Sequence, residues 1–184
     1  MRTVNTEDRE ILQLIRNEQT REKGFLLLVN KYQQKLYYHL RRLLNNHQDT
    51  DDALQNTFIK AWKGLPKFRS ESQLYTWLYR IATNEGLSLM KTNKRKKSVS
   101  LDEAEKDFFS DRQYEPGPGG EEISNKLNEA VRNLPKKQQL VFNMKYFDEM
   151  KYEEMSEVLE TSVGALKASY HHAVKKIEIE LKKE

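Results

Sequence analysis

Cysteine is absent from the 184 residues, which excludes disulfides, thiolate zinc sites and thiol switches within the chain. Long apolar runs are missing as well. The longest, Phe25–Val29, is far shorter than a membrane span, so no membrane insertion is expected. The first residues, Met1 to Asp8, lack the apolar core of a secretory leader, and a cytoplasmic location is expected. Alternation at period two is not found, which points away from β-sheet.

Catalytic signatures are lacking too. No HExxH, P-loop or nucleophile elbow occurs, and His39, His47, His171 and His172 are too scattered for a metal site. The glycines of Pro116-Gly117-Pro118-Gly119-Gly120 are not followed by the Gly-Lys-Ser/Thr of a phosphate loop. The chain is expected not to be an enzyme and to need no cofactor or metal.

What is present is charge in blocks and apolar residues at helical spacing. Residues 1–97 carry 19 Lys/Arg against 10 Asp/Glu, residues 98–122 carry 2 against 8, and residues 123–184 carry 11 against 10. A basic block, an acidic connector and a nearly neutral block suggest two modules with different tasks. The expected fold is all-α, with an N-terminal bundle at 1–97, a flexible tether at 98–122 and a helix-turn-helix module at 123–184.

The periodicity supports this division. Ile11, Leu12, Leu14 and Ile15 predict a short amphipathic helix with Thr6 as candidate N-cap. Phe25, Leu28, Val29, Tyr32, Leu36, Leu40, Leu43 and Leu44 predict a long helix, broken by Asn45-Asn46-His47-Gln48. Leu54, Phe58, Ile59, Trp62 and Leu65 line a third, ending near Gly64-Leu65-Pro66. Leu74, Trp77, Leu78, Ile81 and Ala82 line a fourth, which runs into the basic stretch 91–97. Four such helices can form a small bundle. Beyond the tether, Ile123, Leu127, Ala130, Val131 and Leu134 share a stripe that Pro135 stops, and Leu140, Val141, Met144 and Tyr146 follow. Tyr152, Met155, Val158 and Leu159 then predict a short helix and Val163, Leu166, Tyr170, Ala173, Val174 and Ile177 a final one. The turn between them, Glu160-Thr161-Ser162, completes a helix-turn-helix.

Three polar surfaces are candidate sites. Asp51, Asp52, Gln55 and Asn56 fall opposite Leu54, Phe58 and Trp62. Acids at a helix start ordinarily complement the dipole. Inside a basic block, however, they cannot favour DNA, and a basic protein partner explains them better. On the fourth helix and the loop before it, Phe68, Tyr75 and Tyr79 are expected to face bases, while Trp77 is assigned to the core. Thr76, Arg80, Thr83, Asn84 and Lys91 are expected close to one polar face able to bond base edges and phosphates. The small polar loop Arg69-Ser70-Glu71-Ser72-Gln73, with Ser72 at its end, could take an extruded base. A solvated face with a basic tail is the plainer alternative. On the last helix, Ser162, Val163, Gly164, Ala165, Lys167, Ala168 and His171 are expected at the exposed N-terminal half, the end that enters a major groove. The near-zero charge of that module implies weak binding by itself.

Together these residues resemble the sigma factors of bacterial RNA polymerase, in the compact extracytoplasmic-function (ECF) class. Asp49-Thr50-Asp51-Asp52-Ala53-Leu54-Gln55-Asn56-Thr57-Phe58 with Ala61-Trp62 is similar to the segment that docks on the beta-prime clamp helices. Phe68 and Trp77-Leu78-Tyr79-Arg80-Ile81-Ala82-Thr83-Asn84 resemble the segment that recognises and melts the downstream (−10) promoter element. Leu134-Pro135, Val141-Phe142, Tyr146 and Ser162-Val163-Gly164-Ala165-Leu166-Lys167 resemble the module that reads the upstream (−35) element. The chain departs from the family at Ser88 and Lys91, at Glu154-Met155-Ser156, and at Ala165 and Ser169. The resemblance implies core RNA polymerase (beta-prime and beta subunits), promoter DNA and an anti-sigma protein as partners. It also implies that the acidic connector lies in the RNA path and that promoter opening needs no ATP. Two readings compete with it: a stand-alone helix-turn-helix regulator, and a decoy that binds anti-sigma without initiating.

Overall fold

The computed structural model describes residues 6–69, 72–99 and 121–182. It divides into two compact units, Met1–Ala104 and Glu105–Glu184. All regular structure among the described residues is helical.

The first unit contains α1 (Thr6–Arg16), α2 (Arg21–Leu44), α3 (His47–Gly64), a single 3-10 turn (Leu65–Lys67) and α4 (Leu74–Val99). The α1–α2 hairpin is tight because Thr20 donates its hydroxyl to the Leu14 carbonyl at 2.8 Å. Gly24 then lets α2 lie directly on Leu14 and Ile15. Ile11, Leu12 and Ile15 of α1 and Leu28 and Tyr32 of α2 are buried as the two helices pack together, and Leu36, Leu40 and Leu44 continue the stripe of α2. Burying one such leucine is worth about 1.5–3 kcal/mol, so the stripe contributes substantially to the stability of the unit.

The expected four-residue break after α2 is shorter. Asn45 takes a left-handed conformation (φ 54°) and returns its N–H to the Arg41 carbonyl. Asn46 caps α3 by accepting the Asp49 N–H at 2.8 Å. Two asparagines, each in a role asparagine fills well, end one helix and begin the next. His47 and Gln48 are already helical.

The inward face of α3 also differs from expectation. Thr50, Ala53, Thr57 and Ala61 are its buried residues, while Leu54, Phe58 and Trp62 are half-buried and Ile59 is 44% exposed. Since α3 packs against both α2 and α4, small side chains fit the contact and larger ones are displaced to its flanks. The threonine hydroxyls are satisfied within the helix: Thr50 donates to Asn46 and Thr57 to Ala53, at 2.6 and 2.7 Å. Phe25 packs edge-on against Trp62 at 5.0 Å, with the Arg21 guanidinium over the indole at 4.1 Å.

The second unit contains α5 (Glu121–Arg132), α6 (Lys136–Tyr146), α7 (Tyr152–Leu159) and α8 (Val163–Leu181). Pro135 separates α5 from α6 because its nitrogen has no proton to donate. Six consecutive residues of α6, Gln139 to Met144, are buried, and α8 packs against α5, α6 and α7. Ala130, Val131, Leu134, Phe142, Ala173 and Ile177 form one core cluster. Glu149 and Glu160 adopt left-handed conformations at the turns before α7 and after it. The acidic tether expected at 98–122 begins and ends in helix, since α4 runs to Val99 and α5 starts at Glu121. Its remainder, 100–120, lies outside the described residues, as do Ser70 and Glu71 of the expected base-capturing loop.

Candidate nucleic-acid interface

The outward face of α3 holds Asp51, Asp52, Gln55 and Asn56, all exposed. Their spacing sets Asp51 beside Gln55 and Asp52 beside Asn56, one turn on. Two contacts shape this acidic surface. His47 Nδ1 lies 3.0 Å from an Asp51 carboxylate oxygen. Asp49, next to the patch, accepts a 2.9 Å hydrogen bond from the Asn93 amide, which ties the start of α3 to the far part of α4. Lys60 and Glu85 pair between the same two helices.

On α4, Arg80, Asn84 and Lys91 are exposed, at intervals of four and seven that keep them near one face. Three neighbours expected with them are not there. Thr76 is 2% exposed and Tyr79 is 1% exposed, so neither can meet a base as the helix stands. The cause is the double packing of α4 against α2 and α3, which buries a wider arc than one stripe. Tyr79 packs on His39 with centroids 4.7 Å apart and the rings tilted at 43°, and Thr83, also buried, shares a 2.9 Å hydrogen bond with His39. The Thr76 hydroxyl is buried without a hydrogen-bond partner.

Tyr75 is half-buried between Tyr32 and Tyr79, with the Lys35 ammonium 5.8 Å from its ring. Phe68 is half-buried against Trp77 at 5.1 Å, and Ser72 is half-buried. Much of the aromatic content of this segment thus serves packing, leaving Arg80, Asn84 and Lys91 as its exposed polar margin.

On α8 the expected surface is assembled. Ser162, Gly164, Ala165, Lys167, Ala168 and His171 are exposed and Val163 is half-buried, while Leu166, Ala173 and Ile177 turn inward. Ser162 caps the helix by accepting the Ala165 N–H at 3.3 Å. No atom beyond its own neighbourhood approaches within 4 Å of a Cβ built on Gly164, so this end is open. The Lys167 ammonium stands 5.7 Å from the ring of Tyr152, and that of Lys145 stands 5.1 Å from the same ring. Residues 145, 152 and 167 lie on different helices, and nothing in their sequence spacing signals the cluster. Burial raises the Tyr152 phenol above its ordinary pKa, with Tyr170 adding to the effect, so its hydroxyl keeps its proton at neutral pH.

No group of three or more His, Cys, Asp or Glu side chains able to hold a metal occurs among the described residues. No helix there is long and apolar enough to cross a membrane.

Two helical units, one with an acidic helix beside a basic one and the other ending in a capped, open helix-turn-helix, have the architecture of a DNA-binding factor. Comparison with known proteins specifies which. Residues 28–96 match Sigma-70 region 2, and residues 124–177 match Sigma-70, region 4. The ECF RNA polymerase sigma-E factor of Haemophilus influenzae is 30% identical over 171 residues, covering 89% of this chain and 90% of that protein. The sigma-E factor of Escherichia coli (strain K12) is 31% identical over 165 residues, 83% of each. The RNA polymerase sigma-H factor of Pseudomonas aeruginosa is 29% identical over 170 residues, 88% of each. Among solved structures, the sigma factor RpoE in complex with the anti-sigma factor NepR, from Bartonella quintana, aligns with a TM-score of 0.75 at 22% identity. That alignment covers 88% of this chain and 99% of that one. CnrH in complex with the cytosolic domain of CnrY aligns with a TM-score of 0.69 at 21% identity, over 97% and 99% of the two chains.

The chain belongs to the ECF RNA polymerase sigma factors. It is a non-enzymatic initiation factor whose partners are core RNA polymerase and promoter DNA. A stand-alone regulator is not favoured, because that reading leaves the region 2 match across residues 28–96 unexplained.

Proposed function

We propose that the two modules divide initiation between them. Residues 1–97 dock on core polymerase and hold the opened downstream element, residues 123–184 read the upstream element, and residues 98–122 form the acidic connector in the RNA path. Docking is assigned to Asp51, Asp52, Gln55 and Asn56. Downstream-strand contact is assigned to Arg80, Asn84 and Lys91, with Phe68, Ser72 and Tyr75 at the edge of the same helix. Upstream reading is assigned to Ser162, Val163, Gly164, Ala165, Lys167, Ala168 and His171. Work at a promoter places the protein in the cytoplasm. The observation that carries this reading is the exposure of four acidic or amide side chains on one face of α3, inside a module whose net charge is otherwise strongly basic.

Thr76 and Tyr79 join the downstream site only if α4 repacks, so their role is indirect: they hold the helix that carries the contacts. Among the similar solved structures, the sigma factor RpoE is in complex with the anti-sigma factor NepR, and CnrH with the cytosolic domain of CnrY. By the first likeness an anti-sigma protein is assigned to this chain.

Charge reversal tests the docking face. Asp52→Lys combined with Gln55→Ala should weaken binding to core RNA polymerase by at least about tenfold, since close charge pairs at interfaces are worth about 1.5 kcal/mol or more. The helical circular dichroism should be unchanged. Wild-type affinity in the variant would remove this face from the docking surface.

A further inference from the structure

We propose that Asp8, on α1, is a positioning residue for promoter opening: by holding the Tyr32 hydroxyl it fixes the ring against which Tyr75 packs, and so sets how Tyr75 meets an unpaired base. The inference rests on the reading of Tyr75 as an edge contact of the opened downstream strand, and extends that site back into the α1–α2 hairpin. α1 (Thr6–Arg16) precedes the segment that matches region 2, which begins at residue 28.

The geometry is a row of four rings with both ends pinned. Asp8 is 5% exposed and accepts the hydroxyl of Tyr32, itself 4% exposed, at 2.7 Å. The Tyr32 ring lies 5.9 Å from that of Tyr75, Tyr75 lies 4.4 Å from Tyr79, and Tyr79 lies 4.7 Å from His39. At the far end His39 shares its 2.9 Å hydrogen bond with Thr83. Of these four rings, Tyr75 alone is not buried. The exposed Lys35 brings its ammonium to 5.8 Å from that ring, a cation at the point where an unpaired strand would carry its phosphates.

Stacking depends on the plane a ring presents, and for Tyr75 that plane is set by its buried neighbours. A hydrogen bond to a charged acceptor is among the strongest a side chain makes. A buried phenol deprived of it must move toward water or stay unsatisfied. Either change disturbs the Tyr32 ring and, with it, the support of Tyr75. Lys31 already ties Asp8 to α2 at 2.9 Å. The bond to Tyr32 adds what that ion pair does not, a fixed ring.

The test is run-off transcription from duplex DNA carrying a start site mapped with the same enzyme, using saturating core RNA polymerase and the full-length chain. Tyr75→Ala should lose about tenfold, the worth of one stacked base. Asp8→Ala and Tyr32→Phe should each lose about threefold, and neither should cost anything further in the Tyr75→Ala background, since residues that act through one another are not additive. Asp8→Asn, whose amide oxygen still accepts the Tyr32 hydroxyl, should keep most of the activity. Lys31→Met weakens the same hairpin but leaves the Tyr32 bond in place. It should transcribe as wild type at a temperature well below its melting midpoint.

Tyr75→Ala separates this proposal from the reading beneath it. If it loses activity while Asp8→Ala and Tyr32→Phe cost the same fold with or without it, the positioning role is overturned and the assignment of Tyr75 stands. If Tyr75→Ala itself transcribes as wild type, that assignment falls and takes the positioning role with it. A loss in Lys31→Met equal to that in Asp8→Ala overturns the role as well, because hairpin stability would then account for both. Should Asp8→Ala fail to fold, Tyr32→Phe in the two Tyr75 backgrounds decides the matter.

Discussion

Asp8 is a carboxylate only 5% exposed within the α1–α2 hairpin, held there by the Tyr32 hydroxyl at 2.7 Å and the Lys31 ammonium at 2.9 Å. Burial, reinforced by the bond to Asp8, pushes the Tyr32 phenol far above its ordinary range. It therefore donates at any pH at which the protein works. Lys31 also bridges to Glu7 at 2.8 Å, and that hydrogen bond lowers the Glu7 carboxyl from its usual 4.5. Partial burial pulls the Lys31 ammonium down, but hydrogen bonds to Glu7 and Asp8 outweigh it and leave the group above its usual 10.5. Lys31→Met should cost about 1–3 kcal/mol, chiefly because a buried acceptor loses a donor. The signs fix the window. A depressed carboxyl stabilises above 4.5 and loses its contribution as pH falls through the lowered value. A raised ammonium stabilises fully below 10.5 and loses its contribution as pH climbs through the raised value. Urea unfolding of wild type and variant should therefore differ most between these limits and converge outside them. A difference independent of pH would show that Lys31 acts by packing its methylenes alone.

Helix by helix, the sequence pattern is a good guide wherever large apolar residues recur, and a poor one wherever small or polar residues make the contact. The stripe of α2 is legible because Leu28, Leu36 and Leu40 stand on it, and each is fully buried. The contact face of α3 is not, because Thr50, Ala53, Thr57 and Ala61 carry no apolar signature. The continuous burial of α6 is likewise hidden by Gln139 and Asn143, polar residues that are nonetheless buried. For the site, exposed positions on α3 and α8 follow from periodicity, whereas Tyr79 misleads: it looks like a free aromatic until His39, forty residues earlier, is placed against it. The glycines put the same point in a form that can be measured. In helix propensity, alanine gains about 1 kcal/mol over glycine. At Gly24 a Cβ would sit 2.8 Å from Leu14 Cβ and 2.9 Å from the Ile15 backbone nitrogen, and backbone cannot yield as a side-chain tip can. Overpacking of this kind costs about 1–3 kcal/mol, so Gly24→Ala should lower the thermal midpoint despite the better propensity. At Gly164 nothing lies within 4 Å, so Gly164→Ala should leave the midpoint unchanged or raise it. A stabilising Gly24→Ala would mean that α1 is not seated on α2.

At the scale of the whole molecule the question is which module limits initiation, and the charge blocks suggest an answer. The second module, with 11 basic residues against 10 acidic, has little to hold a duplex with, so its contribution depends on being linked through polymerase to the first. On the proposed division, upstream contact governs how often the closed complex forms, and the exposed margin of α4 governs whether the opened strands are kept apart. The two steps respond differently to the state of the template. Arg80→Ala with Asn84→Ala removes a cation and a base-edge partner from the exposed part of α4. In run-off transcription this variant should lose about tenfold on duplex promoter and recover most of it on a template with a pre-opened bubble. Unpairing has been done in advance there, and base–aromatic or polar capture worth about 1–3 kcal/mol per base is no longer needed to drive it. Lys167→Ala should behave oppositely. On the proposed reading its loss concerns a phosphate in duplex DNA, so the bubble should not help and lower salt should. If the bubble rescues Lys167→Ala and not the α4 variant, the division of labour between the modules is reversed. Opening would then have to be driven from α8, a helix whose exposed face offers mainly small residues and a single lysine in its first two turns.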